Sequence, residues 1–289
     1  MSDMFGKVSE GPSGFIQPFS STKYLEGGRD FLYSNSIVAK FAFLILILIL
    51  FMFIIRLGVS FMAWFFSPEK NPVLIKGMIK SKQHHIYEQD PIMKGSQIIM
   101  RSVNDNGGLE FTWSVWIFVD DFSYMQNEYK HVFHKGDDFI NSQGLAYPNN
   151  GPGLYITPKT NNLMVVMNTF NKINEEVIIQ DLPLNKWVNV IIRVSNQRQL
   201  DVFINGTLTK RHILDSVPKQ NYGNVFVSMN GGFSGNTSLL QYFSNAIGTN
   251  EIQSIVDKGP NMKMLDSDMS QGKPRYLSMR WFLRNNAEI

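Results

Sequence analysis

The sequence predicts an all-β sandwich of the jelly-roll type, preceded by a single membrane-spanning α-helix. Residues 41–55 form a run of apolar side chains without any charged or polar residue. From residue 96 onward, short segments with alternating apolar residues follow one another, separated by Gly, Asn, Asp and Pro. The 289 residues include 22 Phe and 22 Gly, a composition typical of a β-rich domain with many turns.

The apolar run continues past one arginine, which predicts a transmembrane helix over residues 36–66. Residues 41–66 would form a helix roughly 39 Å long, enough to cross a hydrocarbon core of about 30 Å. Lys40 and Arg56 can extend toward opposite head-group layers, and the aromatic residues near position 65 suit the interface. The predicted anchor residues are Lys40, Phe41, Leu44, Leu48, Phe51, Ile55, Arg56, Trp64, Phe65 and Phe66.

Two alternatives to a membrane anchor are a buried core helix and a cleaved signal peptide. Core helices are rarely apolar on all sides over such a length. The run also lies too far from the N-terminus, and is too long, for the apolar region of a signal peptide. Lys and Arg are more frequent after the run than before it, so we expect the following domain on the cytoplasmic side.

The rest of the chain divides into four predicted segments. Residues 1–35 are polar and rich in Gly and Ser, and predict an irregular arm. Residues 67–95 predict a basic connector, residues 96–260 the jelly roll, and residues 261–289 a basic and aromatic tail. The net charge is only +3, and we therefore expect no nucleic-acid partner.

Residues 110–119 predict the central strand of the sandwich. Phe111, Trp113 and Val115 share one face with later apolar residues, while Trp116 lies on the other face. Large apolar groups on both faces indicate a strand with neighbours on either side. Further strands are predicted at 131–134, 154–157, 163–167, 176–180, 187–194, 199–204 and 225–229.

Two local signals complete the prediction of secondary structure. Asn205-Gly206 predicts a tight hairpin turn, because both residues tolerate a positive φ. Asn250 is positioned to cap a short helix that Gly259-Pro260 would end.

Five motifs in chain order resemble those of laminin-G-like, concanavalin A-like domains. They are Phe111-Thr112-x-Ser114-x-Trp116, His134-Lys135-Gly136-Asp137, Leu184-x-x-Trp187-Val188-x-Val190, Leu200-x-Val202-Phe203-Ile204-Asn205-Gly206, and Gly232-Phe233-Ser234-Gly235 followed by segments 239–243 and 247–255. The resemblance covers roughly residues 96–260. It implies an all-β jelly-roll sandwich.

The N-terminal part resembles membrane-anchored virion proteins of large nucleocytoplasmic DNA viruses. The similarity lies in residues 19–28 and in Ser34-Asn35-Ser36 ahead of the apolar run. It implies a non-enzymatic minor capsid protein that tethers an icosahedral capsid to an internal membrane. The implied partners are the lipid bilayer and capsid or other virion proteins, with the jelly roll on the capsid-facing side.

The carboxylates do not predict a catalytic site. Glu175-Glu176, Asp120-Asp121 and Asp137-Asp138 are adjacent pairs, and adjacent residues of a strand point to opposite faces. The jelly-roll glycoside hydrolases need alternate carboxylates on one face. We therefore expect no enzyme.

Metal and cofactor sites are not predicted either. His131 and His134 are three residues apart in a strand, which places them on opposite faces and prevents them from sharing one ion. Asp137, Asp138 and Asp201 do not supply the six to eight oxygens that calcium takes.

Two loops and the tail supply the candidate ligand or partner contacts. Loop aromatics beside Asn and Gly suit a sugar ring, so a membrane-anchored, lectin-like protein is the alternative function. For Phe233 the favoured interpretation is a core side chain. The tail suits docking on a neighbouring protein. The candidate residues are Tyr147, Asn230, Phe233, Asn236, Tyr276, Arg280, Trp281 and Arg284.

Overall fold

The computed structural model describes residues 36–65, 67, 69–102, 104–105 and 108–265. Two compact units follow one another along the chain, Met1–Ser67 and Pro68–Ile289. The predicted arm and the predicted contacts of the tail lie outside the described residues. The same holds for the predicted site residues Phe66, Tyr276, Arg280, Trp281 and Arg284.

The first unit contains helix α1, Ile37–Phe65. Its 29 residues agree with the predicted span to within one residue at each end. Nearly all of its large apolar side chains are exposed around the whole circumference. By length and composition, α1 is the helix of the described chain that could cross a membrane.

The second unit is a sandwich of two six-stranded antiparallel sheets, which confirms the predicted all-β fold class. The strands are β1 (Met78–Lys80), β2 (His85–Tyr87), β3 (Asn104–Asp105), β4 (Gly108–Leu109), β5 (Phe111–Asp121), β6 (Lys130–Gly136), β7 (Asn150–Ile156), β8 (Leu163–Met167), β9 (Glu175–Ile179), β10 (Trp187–Ser195), β11 (Gln199–Ile204), β12 (Thr207–Ile213), β13 (Asn224–Val227) and β14 (Ser234–Phe243). The first sheet has the order β1-β14-β5-β10-β11-β12. The second has the order β2-β13-β6-β7-β8-β9, and β3 and β4 form a separate small ladder.

Strand β5 occupies a central position between β14 and β10, as predicted. Alternate residues from Phe111 to Val119 point into the core between the sheets. There the ring of Trp113 contacts Phe133 of the opposite sheet and Tyr242 of β14, with centroid distances of 5.3 and 5.1 Å. Burying each such side chain contributes about 1.5–3 kcal/mol, so this cluster is a large part of the driving force for folding.

The structure places part of the predicted connector inside the sandwich. Strands β1 and β2, from within residues 67–95, form one edge of each sheet. Strand β12 was also not among the predicted strands, although the Asn205-Gly206 turn before it has the expected positive φ values of 50° and 81°. These strands are short or exposed on both faces, and they therefore lack the alternation by which strands are recognised.

Helix α2 (Thr249–Lys258) covers the outer face of the first sheet. Its Ile252 packs into a small buried cluster with Ile191 and Phe203. Gly259, at φ 69°, ends the helix as predicted, but the N-cap position is Gly248 and not Asn250.

A buried carboxylate stabilises the outer face of the first sheet. Asp201 on β11 accepts hydrogen bonds from Arg193 Nη2 at 2.8 Å, Arg211 Nε at 2.7 Å and Gln199 Nε2 at 3.0 Å. Burial by itself would raise the pKa of Asp201, but these donors lower the pKa below its ordinary value. Asp201, considered above as a calcium ligand, is instead paired with two arginines.

We expect Asp201→Asn to lower the free energy of unfolding by about 2–3 kcal/mol, because it leaves Arg193 without its charge partner. Urea unfolding of the full chain in detergent, followed by tryptophan fluorescence, measures the loss. Asp120→Asn makes the same chemical change at an exposed position and is expected to stay within about 0.5 kcal/mol of the parent. Equal losses in both variants would contradict the role given to Asp201.

Candidate functional site

Four loops leave the second sheet at the same end and form a surface that we call the rim. The rim comprises residues 88–100, 137–149, 168–174 and 214–223. The strand register brings these loops together, because Gly136 pairs with both Asn150 and Asn224, and Met167 pairs with Glu175. A bridge between Thr169 and Pro218 joins two of the loops directly.

The rim exposes large apolar and aromatic side chains. Ile92 and Tyr222 are each 89% exposed, and Phe170 is 67% exposed. Phe139 and the predicted contact Tyr147 are also exposed on neighbouring loop positions. Side chains of this size normally contribute to a core or to an interface, so their exposure makes the rim the candidate surface for binding.

Buried amides hold the backbone of the rim in place. Asn150 donates to the carbonyl oxygen of Ala146 at 2.7 Å and accepts from the hydroxyl of Tyr155 at 2.7 Å. Asn168 donates to the carbonyl oxygen of Pro148 at 2.7 Å. The bonds to Ala146 and Pro148 link buried amide side chains to the loop that carries Tyr147 and fix its shape, and the bond from Tyr155 holds the Asn150 side chain in place.

A buried lysine fastens the last rim loop to the sheet. Lys135 Nζ, on β6, donates to the carbonyl oxygens of Asn221 and Gly223, both at 2.8 Å. Burial lowers the pKa of Lys135 to about 8. The two carbonyls solvate the ammonium group and thereby position Tyr222, which lies between them in sequence.

An open groove of about 450 Å³ lies at the side of the rim, between rim loops and neighbouring residues. Its walls include the rings of Phe170 and Tyr222 together with Arg101, Gln197 and Gln220. Aromatic faces beside guanidinium and amide donors can take up a sugar ring or an extended peptide.

The predicted placement of the two β6 histidines on opposite faces is wrong. The pairing of β6 with β7 shifts register between His131 and Phe133, a β-bulge that inserts one extra residue. The bulge turns both imidazoles to the outer face, where His131 Nε2 and His134 Nδ1 are 2.7 Å apart. The prediction assumed that side chains point alternately to the two faces of the strand, and a β-bulge interrupts that alternation.

The hydrogen bonds around this pair determine where its protons lie. The backbone N–H of Met229 donates to His131 Nδ1 at 3.0 Å, so Nε2 of His131 carries the proton and donates to His134. His134 Nε2 then donates to the carbonyl oxygen of Asp137 at 3.0 Å. Every ring nitrogen is occupied, and the pair has no lone pair left for a metal.

The remaining buried acid is also bound within the fold. Glu175 lies 2.8 Å from His212 Nε2 and accepts the backbone N–H of Asp215 at 3.1 Å. Glu176, its neighbour, points outward, in agreement with the expected opposite faces. Among the described residues there is no group of three or more His, Cys, Asp or Glu side chains that could hold a metal ion.

The residues predicted as ligand or partner contacts lie in different parts of the structure. Phe233 is fully buried in the core, as the favoured interpretation had it. Asn230 donates to Glu128 at the opposite end of the sandwich from Tyr147, and Asn236 lies within β14 opposite Lys80. The predicted loops 147–153 and 230–236 therefore do not form one site.

Sequence reasoning missed most of the rim residues, among them Ile92, Phe170 and Tyr222, and also Arg101 next to the rim. The signal available for them was a large apolar residue inside a turn-forming stretch, as in Pro91-Ile92-Met93-Lys94-Gly95. Only the pairing of the strands shows that these turns meet at one end.

Comparison with solved structures finds receptor-binding domains of botulinum neurotoxins. The domain of botulinum neurotoxin D has a TM-score of 0.43 and 11% identity, covering 65% of this chain and 52% of that one. The serotype D domain in complex with N-acetylneuraminic acid has a TM-score of 0.42 and 13% identity, with 65% and 52% covered. The domain of neurotoxin DC in complex with rat synaptotagmin II has a TM-score of 0.40 and 14% identity, with 52% and 36% covered.

The chain thus spans about half or less of the length of these structures. No protein-family model matches the sequence, and no curated protein sequence matches it.

Acid is expected to destabilise the fold through the histidine pair. Burial lowers the pKa of His134 from 6.5 to about 4 and lowers the pKa of His131 well below its usual range. An unfolded chain takes up protons below pH 6.5 while the folded chain does not, so stability is full above that pH and falls toward pH 4. His134 alone contributes a loss of about 3 kcal/mol over this range.

Urea unfolding at pH 7 and at pH 4.5 measures this loss. In His134→Gln the amide can accept from His131 and donate to Asp137 without titrating, so the variant is expected to lose less stability on acidification. The same pH dependence in parent and variant would contradict the assignment.

Substitutions of two aromatic residues test which of them belongs to the core and which to the surface. Phe233→Ala is expected to cost about 3–5 kcal/mol, because it opens a cavity in the core. Tyr222→Ala is expected to stay within about 0.5 kcal/mol of the parent, because the ring is exposed. Urea unfolding compares the two, and a large loss for Tyr222→Ala would show that its ring is part of the fold.

Proposed function

We propose that this chain is a non-enzymatic structural protein that is anchored in a membrane by α1 and holds a protein partner through its β-sandwich. The observation that carries the proposal is the pairing of an exposed, predominantly apolar 29-residue helix with a β-sandwich in one chain. Such a helix inserts into a bilayer almost irreversibly, and this makes the attached domain a tether.

In its finer form, the proposed role is that of a minor capsid protein in a large DNA virus. The helix would lie in the internal membrane of the virion, and the sandwich would contact the icosahedral capsid. The excess of Lys and Arg after the helix and the lack of cysteine support a sandwich on the cytoplasmic, capsid-facing side.

A non-enzymatic role is supported by how the two buried carboxylates and the histidine pair of the described chain are used. Asp201 is paired with two arginines, and Glu175 is bound by a histidine and a backbone N–H. The histidine pair of β6 has each ring nitrogen in a structural hydrogen bond. A general acid or base needs a polar group that is free to reach a substrate.

The second candidate function is carbohydrate binding by a membrane-anchored, lectin-like protein. The groove beside Phe170 and Tyr222 favours it, since exposed rings flanked by Arg101 and Gln220 match the apolar face and the hydroxyls of a sugar. Its partner would be a glycan in place of a capsid protein.

Purified virus particles test the tether. The protein is expected in the particles, to stay with the membrane in alkaline carbonate and to enter solution only with detergent. A photo-crosslinker at Lys210, on the exposed strand β12, is expected to capture a capsid protein. Absence of the protein from particles would overturn the virion role.

A glycan array probed with the full chain in detergent tests the second candidate. Specific binding that Tyr222→Ala and Arg101→Ala abolish, with unfolding curves unchanged, would establish a lectin and count against the tether. Leu208→Ala, at the opposite end of the sandwich, is the matched control and is expected to have no effect on binding.

A further inference from the structure

Most of the exposed large apolar side chains of the described sandwich lie at the rim. Ile92 and Met93 form the tip of one loop, Phe170 and Ile173 belong to a second, and Tyr222 projects from a third. A patch of this kind on a protein surface marks a site for a protein partner or for a membrane.

Basic side chains accompany these apolar tips. Lys94 follows Ile92-Met93, Arg101 follows Met100, and Lys172 precedes Ile173. Aliphatic and aromatic groups next to Lys or Arg are suited to the boundary between acyl chains and head groups, where the apolar part inserts and the cation meets phosphate.

The chain also enters the sandwich at this end. The backbone N–H of Tyr242 donates to the carbonyl oxygen of Pro72 at 3.1 Å, and Ser244 N–H donates to Asn71 Oδ1 at 3.2 Å. Tyr242 and Tyr222 line one small cavity at the rim. The point of entry and the exposed rim residues therefore lie at the same end of the sandwich.

Only residues 66–72 connect the last residue of α1, Phe65, to Val73, which forms the first bridge of the sandwich with Gln241. Fully extended, this stretch reaches less than about 30 Å. A bilayer that holds α1 is thus within reach of the end of the sandwich that carries the rim.

We propose that the rim docks onto the surface of the bilayer in which α1 is anchored, so that the sandwich has a second, reversible membrane contact. The inference rests on the membrane anchorage in the proposed function. Acidic residues of the rim, among them the exposed Asp90, Asp138 and Asp215, outnumber its basic residues, so apolar insertion provides the binding, and docking does not require anionic lipid. The opposite end of the sandwich and strand β12 stay free for the protein partner.

The absence of cysteine from the sequence allows a direct test with single labels. The full chain, carrying Ile92→Cys or Tyr222→Cys with an environment-sensitive fluorophore, is reconstituted into phosphatidylcholine vesicles with and without phosphatidylserine. Both labels are expected to shift to the blue and to be quenched by spin-labelled lipid in either lipid mixture. Leu208→Cys, 41% exposed at the far end of the sandwich, is expected to show neither effect.

Leu48→Cys, in the middle of α1, reports on the anchor itself. Suppose that the label at Leu48 is quenched while the labels at Ile92 and Tyr222 show neither blue shift nor quenching, like the label at Leu208. The rim then does not dock, although the helix is anchored. If the label at Leu48 stays in water, the anchorage has failed, and the proposed function fails with it. A blue shift at the rim without quenching by lipid would mean that protein or glycan covers the rim, and it would overturn lipid docking.

The double variant Ile92→Asp and Met93→Asp gives a second measurement. These side chains are exposed, and the fold is expected to tolerate the changes, as a thermal unfolding curve would verify. Quenching of the label at Tyr222 is expected to fall to the level at Leu208. Undiminished quenching in a folded double variant would contradict insertion of this loop.

Discussion

Burial of strand β5 on both faces is the constraint on which the rest of the sandwich depends. Its inner face carries Trp113 against rings from the opposite sheet. On its outer face, Thr112 hydrogen-bonds to Asn245 and Ile247, and Ser114 accepts a hydrogen bond from Asn189. A strand covered on both sides has a single acceptable register, because a shift by one residue would bring Thr112 and Ser114 to the core side and Trp113 to the outer face. The neighbouring strands and helix α2 are positioned by that register.

The rim follows from antiparallel pairing around this core. Each strand of the second sheet reverses direction, so alternate loops must meet at one end. Asn150, Asn168 and Lys135 then bind the loop backbones from inside the sheet. Their donor nitrogens are satisfied within the protein, and many of the side chains left pointing outward are apolar or aromatic. A rigid backbone below exposed rings costs little entropy on binding.

Strand β6 connects the two ends of the sandwich through buried polar side chains. Hydrogen bonds through the pair His131 and His134 connect the backbone of Met229, near the far end, to the backbone of Asp137 in the rim. Lys135, the next residue along the strand, holds a second rim loop. Both imidazoles are neutral, and all their ring nitrogens are hydrogen-bonded. An added proton must therefore break one of these hydrogen bonds, which couples the geometry of the rim to pH.

The sequence by itself determined the elements whose signals lie within one short stretch of the chain. Helix α1, strand β5, the Asn205-Gly206 turn and the end of α2 at Gly259 were all predicted, because their signals lie in consecutive residues. The core position of Phe233 was favoured for a different reason, because single aromatic residues in loops are commonly structural. Only the tertiary structure decided the edge strands, the bulge that brings His131 and His134 together, and the assembly of the rim. These depend on which segments pair across the sheets, and strand pairing is set by packing between residues far apart in the chain.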